Sequence, residues 1–129
     1  MTKLTTILIP TDVTNLNGRS YPREVMHRML MNQLPNAKFV GTIGYENSRD
    51  IPLEHVAFEC ANLTLAAGGV ACDVTVLDTP DGVLLQHLLE RDNIVFRPFG
   101  EGLLADDGKL TDYKLVSTAA ISKKHDSFE

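Results

Sequence analysis

The distribution of apolar residues along the first third of the chain predicts one strand followed by one helix. Lys3–Pro10 is rich in Thr and Ile, which favour extended structure. Apolar residues then recur at helical spacing over Val25–Leu34. Pro22 suits the first turn of that helix, where its missing N–H would be unpaired in any case, and Pro35 ends it. We therefore expect a strand that leads into an amphipathic helix.

A β-hairpin in the middle of the chain is the most specific local prediction. A two-residue turn at Gly68-Gly69 leaves one face of the hairpin apolar and the other polar, as a half-buried antiparallel pair requires. The predicted apolar face consists of Ala61, Leu63, Leu65, Cys72, Val74 and Val76. In this register Cys60 points to the opposite face from Cys72, so we expect no disulfide between them.

The second half of the chain predicts another helix and further strands. Thr79 is a suitable cap and Pro80 a suitable first residue for a helix that ends at Asn93. The predicted buried stripe of this helix is Leu84, Leu85, Leu88 and Leu89. Strands are predicted at Ala37–Ile43, Ile94–Arg97 and Tyr113–Ile121. Mostly antiparallel strands with two helices indicate an α+β domain.

Composition and charge exclude several classes of protein. With 129 residues, 43% of them hydrophobic and 22% charged, the chain fits a single globular domain over residues 1–129. Its polar tail, about residues 123–129, is expected to be frayed. Apolar runs are only a few residues long, whereas a membrane span needs about 20, and the N-terminus lacks a secretory pattern. A net charge of -5 argues against nucleic-acid binding.

Residue types that bind metals are scattered rather than grouped. The two Cys and four His lack the spacing of zinc modules. Asp106, Asp107 and Asp112 lack the late Glu of a calcium loop, so we interpret them as part of a polar turn. No metal and no cofactor is predicted, and a reducing cytoplasm fits so few cysteines.

Four segments occur in an order and spacing that their separate local structures do not explain. They are residues 15–22 (NLNGRSYP), 74–82 (VTVLDTPDG), 85–91 (LQHLLER) and 108–115 (GKLTDYKL). Each resembles a segment of the prohead maturation proteases of tailed phages, serine peptidases that cut scaffold and capsid proteins inside the immature head. The resemblance covers roughly residues 6–125. It implies that family's fold, with a mostly antiparallel, curled or barrel-like sheet and two helices outside it.

The resemblance also implies a serine nucleophile and a histidine base, but both aligned positions hold other residues. Ser48 stands where the family carries its His, and Arg97-Pro98 replaces the paired serines of the nucleophile segment. Gly100 and Gly102 remain in register, and we attribute them to a tight turn. Neither Arg nor Pro can attack a carbonyl as a nucleophile. We therefore predict no catalytic residues and take Ser48, Arg97 and Pro98 as degenerate active-site positions.

Other serines leave an enzymatic alternative open. A fold that brought Ser48, Ser117 or Ser122 into hydrogen-bond reach of His55 would supply a nucleophile and a base. Nothing in the spacing selects one of these pairs, so a surface hydroxyl and a solvated imidazole are the simpler interpretation.

The first family-like segment persists although the aligned catalytic residues do not. We therefore assign Asn17, Gly18, Arg19, Tyr21 and Pro22 a structural or binding role. Gly18 can supply a positive φ for a turn. Arg19 offers a rigid fork of donors, so we expect it to be largely buried and paired with a carboxylate or with loop carbonyls. Alternatively, Arg19 points outward and holds a partner's carboxylate.

Three functions remain open at this stage. The preferred one is a non-catalytic phage protein that binds a protein partner, a capsid or scaffold protein, in head assembly. Such binding is expected to use extended segments along strand edges. The alternatives are an active serine peptidase with rearranged catalytic residues and a phage-encoded inhibitor of a host protein. We expect a protein of the host cytoplasm or the virion or prohead, not secreted and without nucleic-acid or membrane partners; its oligomeric state stays open.

Overall fold

A computed structural model of the chain describes residues 2–33, 37–45, 51–91 and 93–128. These residues form six β-strands and two α-helices. The strands are β1 (Lys3–Pro10), β2 (Phe39–Ile43), β3 (Phe58–Ala66), β4 (Gly69–Val76), β5 (Ile94–Leu104) and β6 (Leu110–Ser122). The helices are α1 (Arg23–Asn32) and α2 (Pro80–Arg91), and single 3-10 turns lie at Leu53–His55 and Lys123–His125.

The strands form one mixed sheet in the order β1-β4-β3-β2-β6-β5. Only β2 and β6 pair in parallel among these described strands, and the sheet curls into a half-barrel. The end strands β1 and β5 do not pair as a ladder, but Arg97 of β5 donates a hydrogen bond to the carbonyl oxygen of Ile7 at 3.0 Å. The predicted α+β fold with a curled, mostly antiparallel sheet is thereby confirmed.

The apolar core combines residues of the sheet with one face of each helix. Phe58 of β3 and Phe96 of β5 pack edge to face, with ring centroids 5.0 Å apart. Met26 of α1 and Leu85 of α2 are fully buried against the sheet. Neither helix, nor any other helix in the described ranges, is long and apolar enough to cross a membrane.

Helix α2 begins as predicted but buries a narrower face. The hydroxyl of Thr79 accepts a hydrogen bond from the backbone N–H of Gly82 at 2.9 Å, which confirms Thr79 as the cap. Leu85 is buried, whereas Leu84 is 49% exposed, so the predicted buried stripe is wrong at Leu84. The helix meets the sheet along one row of side chains, and Leu84 lies beside that row.

The central hairpin forms, but its register differs from the predicted one. Its turn lies at Ala67-Gly68, one residue earlier than predicted. A β-bulge then interrupts the pairing between Ala61 and Thr64, where two residues of β3 lie opposite the single residue Cys72 of β4. Asn62 has a φ of 54° in this bulge, a left-handed conformation that Asn adopts more readily than most residues.

The bulge changes which side chains of β3 face the core. Cys60 rather than Ala61 joins the buried face, while Leu63 and Leu65, beyond the bulge, still pack against the core. Cys60 and Cys72 are free thiols whose sulfurs lie 3.4 Å apart. The prediction that Cys60 points away from Cys72 is wrong, because one extra residue inverts the alternation of side chains.

Replacement of Asn62 tests the bulge. We expect Asn62→Ala to lower the free energy of unfolding by about 1–2 kcal/mol, because an alanine Cβ disfavours a left-handed φ. Asn62→Gly should lose less, since glycine adopts that φ freely. Urea unfolding of the three proteins measures the difference. Equal losses would instead assign the effect to the hydrogen bond that Asn62 donates to Asp73 at 2.9 Å.

Candidate functional site

Residues 15–21, which we call the motif loop, precede α1 and are organised by Asn15. The buried side-chain Oδ1 of Asn15 accepts hydrogen bonds from the backbone N–H groups of Asn17 and Arg19, each at 3.0 Å. Gly18, with a φ of 75°, donates its N–H to the Asn15 carbonyl at 3.0 Å. The predicted turn role of Gly18 is confirmed. The residue pattern did not single out Asn15, although Asn is a frequent turn organiser.

Backbone hydrogen bonds attach the motif loop to the turn between β5 and β6. The N–H of Ser20 donates to the carbonyl of Gly108 at 3.1 Å, and the N–H of Leu110 donates to the carbonyl of Ser20 at 3.0 Å. Within this turn the Asp107 carboxylate accepts the backbone N–H of Lys109 at 3.0 Å, as expected for a polar turn. No group of three His, Cys, Asp or Glu in the described ranges is placed to hold a metal ion.

Arg19 is exposed, so the prediction that it is buried and paired inside the chain is wrong. The carbonyls of Asn15, Arg19 and Ser20 already accept backbone N–H groups, so they do not need the guanidinium as a donor. None of the carboxylates in the described ranges forms an ion pair with Arg19. Its charge instead lies near the Tyr21 hydroxyl, where burial raises the pKa of Tyr21 and Arg19 partly offsets that rise. Pro22 follows, half-buried, as the N-cap of α1.

An open groove of about 990 Å³ lies between the motif loop and the first half of the β5–β6 hairpin. Its walls are the motif loop, Pro98–Gly102 of β5, Tyr113 of β6 and residues 124–127, with Tyr45 after β2. We call this space the groove. It is large enough for several residues of an extended chain.

All three tyrosines of the chain lie in the groove. The rings of Tyr21 and Tyr113 meet edge to face, with centroids 5.4 Å apart. Burial, with the neighbouring Tyr21 and Tyr45 hydroxyls, raises the pKa of Tyr113, so it stays protonated at physiological pH. Tyr45 is 54% exposed. Exposed and half-exposed tyrosines beside an arginine are typical of protein-binding surfaces.

Gly100 and Gly102 make room for Tyr113 rather than forming a turn. A Cβ on Gly100 would lie 2.6 Å from the Tyr113 ring, and one on Gly102 would lie 2.6 Å from Leu110. Neither glycine has a left-handed φ. The tight-turn interpretation is therefore wrong, and β5 continues as a strand to Leu104 instead of ending at Arg97.

Arg97, at the position aligned with the nucleophile segment, is buried and donates four hydrogen bonds within the chain. Its Nε and Nη2 donate to the two carboxylate oxygens of Asp126 at 2.9 and 2.7 Å. Its Nη1 donates to the carbonyls of Ile7 and Phe96 at 3.0 and 2.9 Å. The guanidinium also lies 5.3 Å from the centre of the Phe128 ring. Arg97 thus joins β5 to β1 and to the end of the chain.

The tail is docked, so the expectation that it is frayed is wrong for residues 123–128. Asp126 is only 5% exposed because it pairs with Arg97. Phe128 packs against Tyr21 with ring centroids 6.0 Å apart. The carbonyl of Ser127 accepts the N–H of Leu16 at 2.7 Å. These contacts place the tail beside the motif loop as one wall of the groove.

The remaining predicted positions lie on different elements or outside the described residues. Pro98 is half-buried on β5 and lines the groove. Ser48 lies outside the described ranges, so its proposed degeneracy and its pairing with His55 stay predictions. Ser117 is buried on β6, whereas His55 is exposed on the 3-10 turn after β2.

Asp126→Asn tests the buried ion pair. The variant keeps the size of the side chain but leaves the Arg97 charge buried without a counter-charge. We expect it to lower the free energy of unfolding at neutral pH by about 3–5 kcal/mol. Urea unfolding measures the change, and Asp106→Asn, at an exposed position in the turn after β5, is the matched control. A loss no larger than that of the control would contradict the role of the pair.

The ion pair between Arg97 and Asp126 also predicts that the fold loses stability at acidic pH. Burial acts to raise the pKa of Asp126, but the hydrogen bonds from Arg97 and Phe128 and the charges of Arg97 and Lys123 outweigh it and hold the pKa below its usual value. A depressed folded-state pKa stabilises the fold above the unfolded pKa of about 3.9, and this contribution is lost as the pH falls through the folded pKa. Unfolding measured from pH 7 downward should show a loss below about pH 4 that Asp126→Asn lacks.

Comparisons with known proteins concern the fold. No family model matches the sequence, and no curated protein matches it. Among solved structures, the capsid assembly protease gp21 of bacteriophage T4 is similar, with a TM-score of 0.76. The two are 16% identical, over 92% of this chain and 80% of that chain. The chain therefore has a fold like that of a phage capsid assembly protease.

Proposed function

We propose that this chain is a non-catalytic phage protein that holds an extended segment of a protein partner in the groove. The observation that carries the proposal is the contrast between Arg97 and the groove beside it. Arg97, at the nucleophile-aligned position, is committed to Asp126 and to backbone carbonyls. The adjacent groove remains open and aromatic. Loss of chemistry with retention of a binding surface accounts for both.

The chemistry of the aligned positions supports the loss of peptidase activity. A guanidinium stays protonated at physiological pH and has only donors, so Arg97 can neither attack a carbonyl nor accept a proton. Pro98 carries no nucleophile and lacks an N–H. Arg97 also does not line the groove, whereas Pro98 does. The arginine is therefore turned toward the protein and not toward a bound segment.

The free edge of β5 supports an extended partner. β5 is an end strand of the sheet and pairs only with β6 among the described strands, so Pro98–Gly102 expose one edge to the groove. An extended peptide can add to such an edge through main-chain hydrogen bonds. Pro98, which has no donor, and the exposed charge of Glu101 disfavour pairing with a second copy of the same edge.

The proposed partner is a scaffold or capsid protein of the encoding phage. The similar T4 protein is a capsid assembly protease, and a non-catalytic relative of such a fold would act in the same assembly. The proposed location is the host cytoplasm or the prohead. The groove walls carry one cation, Arg19, and two aromatic rings, Tyr21 and Tyr45. Arginine and tyrosine are among the side-chain types that contribute most to protein–protein affinity.

Incubation of the purified chain with the scaffold and capsid proteins of the encoding phage tests the proposal. We expect one of them to bind and both to remain intact by mass spectrometry. Arg19→Ala and Tyr45→Ala should each weaken binding at least about tenfold, the effect of a removed hot-spot side chain, without lowering the melting temperature, because both residues are exposed. Arg91→Ala, an exposed cation at the end of α2, is the matched control.

Two outcomes contradict the proposal in different ways. Specific cleavage that disappears in Ser48→Ala or Ser117→Ala would establish the rearranged peptidase instead. Absence of binding to either head protein, together with capture of a defined host protein through Arg19 and Tyr45, would favour the inhibitor of a host protein.

A further inference from the structure

The two cysteines lie in contact at the centre of the sheet and take no part in the groove. Cys60 on β3 and Cys72 on β4 are 0% and 1% exposed, and their sulfurs are 3.4 Å apart. Both strands are internal in the sheet, with β1 on one side and β2 on the other. The pair therefore belongs to the most enclosed part of the structure.

The contact between the sulfurs results from a specific backbone feature. In a regular antiparallel ladder, the Cα atoms of diagonal neighbours on one face are about 7–8 Å apart. Here Cys60 pairs in register with Val74, and the bulge at Asn62 separates it from the register of Cys72. The extra residue places both thiols on the buried face. A disulfide bond is about 2.05 Å long, so the two sulfurs, 3.4 Å apart, need to approach by about 1.4 Å to form one.

We propose that Cys60 and Cys72 are a thiol–disulfide pair that closes reversibly within the folded chain. Oxidation forms one Sγ–Sγ bond, releases both thiol hydrogens as protons and passes two electrons to a two-electron oxidant such as a diazene. Reduction by a dithiol reverses each of these changes. The pair is reduced in a reducing compartment and closed in an oxidising one.

The contact between the two thiols shifts the pKa of each. The hydrogen bond between them lowers the pKa of Cys60; burial opposes this effect, and the Thr118 hydroxyl assists it. The same hydrogen bond and burial raise the pKa of Cys72. One thiol adds to the diazene through its sulfur, and its hydrogen passes to a diazene nitrogen. The second sulfur then attacks the first and displaces the reduced oxidant as a hydrazine.

The bond would stabilise the fold because it constrains the unfolded chain. Cys60 and Cys72 are 12 positions apart, and closure of a loop of this length removes part of the unfolded chain's entropy. It also fixes β3 to β4 next to the bulge. Because the groove lies elsewhere, the modification does not depend on the function proposed above.

Treatment of the reduced protein with diamide, a diazene, tests the proposal. We expect a monomer lighter by two hydrogens, with no thiol left to alkylate after denaturation and with residues 60 and 72 cross-linked in the peptide map. The melting temperature should rise by roughly 5–10 °C and return to its starting value with dithiothreitol. Cys60→Ala and Cys72→Ala are matched controls and should show no rise.

Two results would overturn the proposal. One is a diamide-treated protein in which both thiols can still be alkylated after denaturation. The other is a product whose cysteines are joined only between chains. If the alanine variants do not fold, the wild-type protein decides the question. Its peptide map must show the cross-link between residues 60 and 72, and dithiothreitol must remove that cross-link.

Discussion

The buried ion pair between Arg97 and Asp126 holds together parts of the chain that no β-ladder connects. Burying two charges is unfavourable unless their hydrogen-bonding groups are satisfied. Here both carboxylate oxygens accept from the guanidinium, and its remaining nitrogen donates to the carbonyls of Ile7 and Phe96. The pair thus joins the two end strands of the half-barrel and fixes the tail against them. Removal of either charge would leave the other buried without a partner.

The shape of the groove follows from that pair. Once Asp126 is fixed, the neighbouring Ser127 carbonyl is in place to accept the N–H of Leu16 at 2.7 Å, and Phe128 packs on Tyr21. The motif loop is held from one side by the tail and from the other by the turn that contains Gly108. Its own hydrogen bonds through Asn15 then leave the Arg19 side chain directed into solvent. The motif loop therefore forms a wall of the groove whose backbone is held by hydrogen bonds and whose Arg19 side chain is accessible to a partner.

Local sequence patterns predicted the strands and helices well, because hydrophobic periodicity, helix caps and prolines act within a few residues. The bounds of β1 and the cap of α2 at Thr79 are of this kind. The failures involve either an irregularity inside a strand or a partner that lies far away in the sequence. A bulge at Asn62 reverses the alternation on which the hairpin register was built. Asp126 lies 29 positions from Arg97, so a polar tail showed no sign of its buried partner. Arg19 and Arg97 are equally suited to a buried pair, and only the fold distinguishes them.

The position of Arg97 also bears on the proposed loss of peptidase chemistry. A nucleophile must face the bound substrate, whereas Arg97 faces the space between β5 and β1 and makes its contacts there. A serine at that position would be too short to reach Asp126 and would leave that buried carboxylate unpaired. Arg97 therefore belongs to the contacts that stabilise the fold. A serine at position 97 would require compensating changes in the tail, while the tyrosines and Arg19 of the groove need not change.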